Sequence, residues 1–295
     1  MSNFDFLLEQ KDFESFASVA VRAEKYAHDD PDTSIGLSRK AAEYATNWLY
    51  AVDRHLDATN RKDFVSKICN FEFKKLVGTD LCNSVHAIRK IGNKAVHDAN
   101  AHFAPNIALA ILDSLFKYLC WIEHNYISAD TFRRFSSAFV PGFSSNTSQN
   151  IATTTISKPP VQNQFDSERK AVRVFVEKDG DDPVITYSDE KIKELNNNKE
   201  KNQDKPLNTS SDISEEFTRK LYIDTLLNEV GWFEGKNMTY EYQIEGVQFN
   251  DGESGKIDYV LWDGDGKPLA IIEAKRYKED AHKGKKTSSN LCKMS

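Results

Sequence analysis

The chain has no CxxC pair: its four cysteines, Cys69, Cys82, Cys120 and Cys292, stand too far apart for a metal knuckle or a redox dithiol. Three sit in apolar, helix-like stretches, so buried reduced thiols are expected. A basic leader followed by an apolar run is missing from the N-terminus, MSNFDFLLEQKDFESF, and no window is expected to approach the length of a membrane span. These absences point to a cytoplasmic protein without a membrane partner. The phosphate-cradling pattern GxxxxGK[ST] does not occur, which excludes a nucleotide-driven motor within these residues. An excess of positive charge is lacking too: 39 Lys and Arg stand against 45 Asp and Glu, a net charge of −6. That balance excludes a chain that coats nucleic acid over its whole surface, while leaving room for a local basic groove. There is no internal repeat.

What is present is enough for one large or two ordinary domains: 295 residues, 39% apolar and 28% charged. Over the first part, apolar residues recur at spacings of three and four, and polar residues stand at the breaks, which predicts helix after helix. Phe13, Phe16, Ala17 and Ala20 mark the first. A second follows Asp30-Pro31-Asp32, with Leu37, Ala41, Tyr44, Ala45, Trp48 and Leu49 on one face, and ends near Asp53 to His55. A third is expected over Asp63 to Val77, stopping at Gly78; a fourth runs from Leu81 to His97; a fifth follows Pro105 with Ile107, Ile111, Leu115, Tyr118, Leu119 and Ile122. Short connections predict an antiparallel helical bundle over residues 1–128.

From residue 129 to 211 Ser, Thr, Asn, Gln, Pro and Lys dominate, as in SSNTSQNIATTTISKPPVQNQ and NNNKEKNQDKPLNTSS. Such composition offers little apolar surface to offset the entropy of ordering, so a polar, largely disordered linker is expected. Within it, KAVRVFVEKDGDDPVITYSDEKIKEL has one alternating stretch, Val172, Val174 and Val176, and a charged helix-like end, which leaves room for a small ordered patch inside the linker. Residues 212–295 read as an α/β unit. Asp212 or Ser214 caps the helix SEEFTRKLYIDTLLNEVGW, whose Leu221, Ile223, Leu226, Leu227 and Val230 are expected to face a core. The strand-like pieces MTYEYQIEG, GKIDYVLW and PLAIIEAKR follow, the last two joined by the turn DGDGK.

The chemistry gathers on that hairpin. Glu273 and Lys275 stand two apart on a strand, so a pleat aims both to one face, and Asp258 lies across the turn. Two carboxylates with an ammonium beside them suit a divalent cation such as Mg²⁺, a water activated on it, and stabilisation of charge on a phosphate. Past Lys275 the chain turns cationic, with Arg276, Lys278, Lys283, Lys285, Lys286 and Lys293 outnumbering Glu279 and Asp280. A solvated tail and a phosphate-contacting one both remain open.

Asp258, the tight turn, the apolar strand and Glu273-Ala274-Lys275 resemble the PD-(D/E)xK nuclease signature in its D…ExK form. With the preceding helix and EYQIEG, the wording GKIDYVLW…PLAIIEAKRY resembles the start of the nuclease domain in restriction subunits of type I restriction-modification enzymes. The resemblance implies an incomplete restriction-endonuclease-like α/β core with Asp258 and Glu273 as Mg²⁺ ligands and Lys275 as a catalytic residue. It also implies an accessory glutamate at Glu216, with Glu215 as the alternative, DNA as substrate, and the methylation and specificity subunits as partners. In that family further strands carrying a Gln and a Tyr follow the ExK strand, then an ATP-driven DNA motor. Here AKRYKEDAHKGKK is followed by TSSNLCKMS, so truncation after Lys286 is expected, and with it a chain inactive by itself.

In the helical part, HAIRKIGNKAVHD resembles the domain of unknown function DUF4145, which is similar to HEPN helical nucleases. Arg89, Asn93 and His97 recur every four residues and form one polar stripe, suited to a phosphate-binding arginine beside an acid-base histidine or to a structural seam between helices. Seven residues separate Arg89 from His97, beyond the usual HEPN spacing. Two function classes follow: a DNA endonuclease component, or a non-catalytic module whose helical domain docks protein or nucleic acid.

Overall fold

A computed structural model describes residues 2–57, 59, 61, 63–98, 100–143, 187–248 and 254–272. Val172, Val174 and Val176, the ExK triplet and the cationic tail lie outside these residues. The chain is a mixed α+β protein, mostly helical with a small sheet. It divides into two compact bodies, Met1–Thr218 and Arg219–Ser295.

The first body is built on α1 (Glu14–Tyr26), α2 (Pro31–Val52), α3 (Phe64–Ile68), α4 (Phe71–Val77), α5 (Thr79–His97) and α6 (Pro105–Tyr126). Helix α2 starts where the Asp30 carboxylate accepts the Thr33 amide at 3.2 Å and the Thr33 hydroxyl at 2.8 Å, with Pro31 needing no donor in the first turn. The single helix expected over Asp63 to Val77 is two, because Asn70 leaves the helical path and its side chain accepts the Glu72 amide to start α4. Gly78, at φ 84°, ends it.

Helix α2 packs against α1, α5 and α6. Its Trp48 is fully buried among Phe13, Phe16 and Tyr126. The antiparallel expectation holds for α2 and α5, where Gly36 lies by Val96 and Arg39 by Asn93. It fails for α2 and α6, which run parallel: Asp32 meets Phe103, Thr46 meets Tyr118 and Asp53 meets Tyr126. Three mutually packed helices cannot all be antiparallel in pairs. Helix α6 is also long and apolar enough to cross a membrane, against the expectation that no window was; most of it is buried, as in a core helix. Cys82 and Cys120 are buried thiols, whereas Cys69 is exposed, at the break between α3 and α4.

The larger correction concerns the polar stretch. Residues 129–143 and 187–211 are not a linker but part of the helical body, through β1 (Arg133–Phe135), α7 (Asp189–Asn202) and β2 (Thr209–Ser211), with β1 and β2 paired in parallel. Residues 144–186 of that expectation lie outside the described set. Helix α7 carries few apolar residues because its task is to satisfy the ends of other helices. The Asn196 side chain donates to the Val52 carbonyl at 2.7 Å, Asn198 to Tyr126 at 3.1 Å and Asn202 to Asn125 at 3.3 Å. These are carbonyls at the C-terminal turns of α2 and α6, which lack partners within their own helices. Beside them the Asp53 carboxylate accepts Lys199 Nζ and Tyr126 Oη, each at 2.5 Å, and the His55 amide at 2.8 Å. Burial pushes the Asp53 carboxyl up, but these hydrogen bonds outweigh it and hold its pKa below the ordinary value.

In the second body α8 (Glu215–Glu229), which begins in the last residues of the first, precedes an antiparallel meander of β3 (Met238–Gln248), β4 (Ser254–Trp262) and β5 (Pro268–Ile272) in the order 3-4-5. Ser214 rather than Asp212 caps α8, its hydroxyl accepting the Phe217 amide at 3.4 Å; Asp212 instead binds the Ser137 amide within the first body. The core is Leu227, Met238, Tyr259 and Leu261, with Ile223, Trp232, Tyr240 and Ile272 around it. Leu226 and Val230, expected in that core, are 53% and 71% exposed. Leu226 lies about 100° around the helix from Leu227, one residue's rotation, and Val230 stands just past the helix end at Glu229.

Candidate functional site

Strand β4 carries Asp258 half-buried between two buried residues, Ile257 and Tyr259. The turn after it is set by Asp263, whose carboxylate accepts the amides of Asp265 at 2.9 Å and Lys267 at 2.7 Å, while Gly266 takes φ 77°. That turn returns the chain as β5, and Tyr259 pairs with Ile272 at the last described rung. Of the residues expected to carry the chemistry, Asp258 lies on strand β4 and Glu216 in the first turn of α8. Glu273 and Lys275 lie outside the described residues. Among the described residues no group of three or more His, Cys, Asp or Glu side chains gathers as a metal site. The Asp258 carboxylate is by its chemistry a hard oxygen donor of the kind a divalent cation takes.

Directly next to Asp258 is a polar cluster that pattern reading missed. Tyr259 Oη donates to Asp224 Oδ1 on α8 at 3.0 Å, and Lys220, one helical turn earlier, lies 4.3 Å from the centre of the Tyr240 ring. Burial raises the Asp224 pKa, and hydrogen bonds from Tyr259 and Tyr240 and the charge of Lys220 act against it. Both phenols are in turn pushed above their ordinary values, first by burial and then by the Asp224 charge. The arrangement ties α8 to β3 and β4 and fixes the strand on which Asp258 sits. Its only sequence signal is a Lys-Asp pair four apart on a helix, followed by tyrosines on two strands.

The polar stripe on α5 is divided by the structure. Asn93 Oδ1 accepts Arg39 Nε at 2.6 Å, and Arg39 also pairs with Glu43 at 3.2 Å, so Asn93 is a seam between α2 and α5. Gly92 leaves the space in which the Arg39 side chain lies. His97 is exposed in the last turn of α5, and Arg89 is half-buried with its Nε buried and without a hydrogen-bond partner among the described residues.

Two family models match parts of the chain. Residues 214–295 match the type I restriction enzyme R protein N terminus. Residues 21–134 match the domain of unknown function DUF4145. No curated protein and no solved structure matches the chain.

Proposed function

We propose that the second body is the start of a PD-(D/E)xK nuclease core in the DNA-cleaving subunit of a type I restriction-modification system. The match of residues 214–295 carries this reading, since it falls on the segment where Asp258 occupies a buried strand. The sequence pattern supports it: two apart on a strand, Glu273 and Lys275 would share a face, with Asp258 across the turn. Asp258 and Glu273 would then hold Mg²⁺ through carboxylate oxygens, with Glu216 as an accessory acid. A cation so held activates water and stabilises charge developing on a phosphate. Lys275 would orient the attacking water and help take its proton. DNA is the substrate, methylation and specificity subunits are the partners, ATP serves only the motor of such subunits, and the assembly works in the cytoplasm.

The test is Mg²⁺-dependent cleavage of supercoiled DNA by the chain restored to full family length, with its motor, and assembled with its partner subunits. Asp258→Ala, Glu273→Ala and Lys275→Ala should each abolish cleavage while leaving ATP hydrolysis by the motor intact. Cleavage near the unmutated level with either carboxylate removed would refute the assignment. For the α5 stripe, the Arg39–Asn93 bond favours a seam over a HEPN-like ribonuclease site.

A further inference from the structure

The chain as a whole is acidic, yet α4 and α5 collect the opposite charge. They hold Lys74, Lys75, Arg89, Lys90 and Lys94 against Glu72 and Asp80, and between Leu81 and His97 no acidic residue occurs. His86, Lys90 and Lys94 recur every four residues and so form one row on α5. Helix α4 packs against α5, and Lys74 comes close enough to His86 for its charge to act on the imidazole, as do Arg89 and Lys90. Burial first, then these three cations, hold the His86 pKa below its ordinary value. Basic groups from two helices therefore share one region, and the buried Arg89 Nε there lacks a hydrogen-bond partner among the described residues.

Beside this region stands Phe71, three and four residues before Lys74 and Lys75 and so on their side of α4. At 72% it is the most exposed large apolar side chain among the described residues. A solvent-facing ring flanked by flexible ammonium groups is the arrangement that stacks an unpaired base while its phosphates are neutralised. A duplex would meet the charges but keep its base faces covered, and an acidic peptide would leave the ring without a stacking partner.

We propose that the α4–α5 face binds single-stranded nucleic acid, with Phe71 stacking a base and Lys74, Arg89 and Lys90 contacting the phosphate backbone. The site lies wholly in the first body and does not depend on the nuclease reading of the second. It requires no cleavage, so it is compatible with Asn93 serving as a seam.

The experiment is fluorescence anisotropy of labelled oligo-dT and oligo-U, each of roughly 20 nucleotides to exceed one binding site, titrated with the full chain over a range of salt. Binding of either strand supports the proposal, and the tighter arm identifies DNA or RNA as the source. Three phosphate contacts give a slope of log affinity against log salt of about −2. Phe71→Ala should weaken binding about tenfold, the size of one lost stack. Lys74→Glu with Lys90→Glu should weaken it further and flatten the salt slope, and Lys74→Gln with Lys90→Gln should do so to a smaller degree. Lys193→Glu with Lys201→Glu, an equal charge change at two exposed positions on α7, should leave affinity unchanged. Circular dichroism establishes that each variant is folded. Absence of binding at low salt, tighter binding of duplex than of single strand, or wild-type affinity in the Phe71 or double-lysine variants would overturn the proposal.

Discussion

Replacing Lys199 by Met removes a cation hydrogen-bonded to the Asp53 carboxylate, which has no solvent exposure. The side chains of Lys199 and Asp53 are 8% and 0% exposed, at an Nζ–Oδ2 distance of 2.5 Å. After the substitution Asp53 keeps the Tyr126 hydroxyl and the His55 amide but loses its counter-charge. Breaking a buried pair from one side costs about 3–5 kcal/mol, because the surviving charge stays desolvated. Removing both charges, as in Asp53→Leu with Lys199→Met, should cost much less. For a body of this size the single change corresponds to a fall in Tm of about 10 °C. Thermal melts followed by tryptophan fluorescence report it, since the Trp48 ring packs on Tyr126 and its Nε1 donates to Tyr187 Oη at 2.9 Å. An unchanged Tm would mean that α7 contributes nothing to the helical body, and the reading of residues 129–211 as a linker would return.

Three further outcomes follow from the same structure. Because the folded pKa of Asp53 lies below the ordinary value of 3.8, its ionisation stabilises the fold above that value, and the contribution is lost as pH falls through the folded pKa; the stability gap between wild type and Asp53→Asn, measured by urea titration, should therefore be full at neutral pH and close only below about pH 4. Leu227→Ala should cost about 2–4 kcal/mol in the second body, whereas Leu226→Ser and Val230→Ser should stay within about 0.5 kcal/mol; equal losses at all three positions in denaturant titrations would contradict the observed helix face. Gly92→Ala gains about 1 kcal/mol of helix propensity but places a methyl group on the root of the Arg39 side chain, so a net loss of about 1 kcal/mol or more is expected in thermal melts, and a stabilised variant would contradict the close approach of α2 and α5.

Much of the helical body was legible because its signals are local. Proline and aspartate at the start of α2, proline at the start of α6 and Gly78 after α4 each act within one turn, and the structure places boundaries at or beside them. The break at Asn70 was harder to see, since an apolar period can continue through a residue that leaves the helix to cap the next one. Helix α7 was legible only as the charged helix-like end of SDEKIKEL, and its packing was hidden for a different reason. Asn196, Asn198 and Asn202 have the composition of a solvated segment, and only the unpartnered carbonyls at the ends of α2 and α6, far away in sequence, turn them into structural residues. On the sheet, alternation and the Asp263–Gly266 turn gave the hairpin and the place of Asp258. The Asp224–Tyr259 bond that holds this strand to α8 joins residues 35 apart and has no periodic signature. Likewise, Phe71 reads as core by type and is exposed only because α4 turns it outward.

The central claim is that Asp258 and Glu273 form a divalent-cation site in which Lys275 takes no part in coordination. Isothermal titration of the chain with Mn²⁺ as a probe for the Mg²⁺ site tests it directly, since the measurement registers ligands and not turnover. A saturable heat that Asp258→Ala and Glu273→Ala each remove, and that Lys275→Ala leaves largely intact, is the predicted result. Binding that survives the loss of both carboxylates, or that disappears with Lys275 alone, would contradict the account.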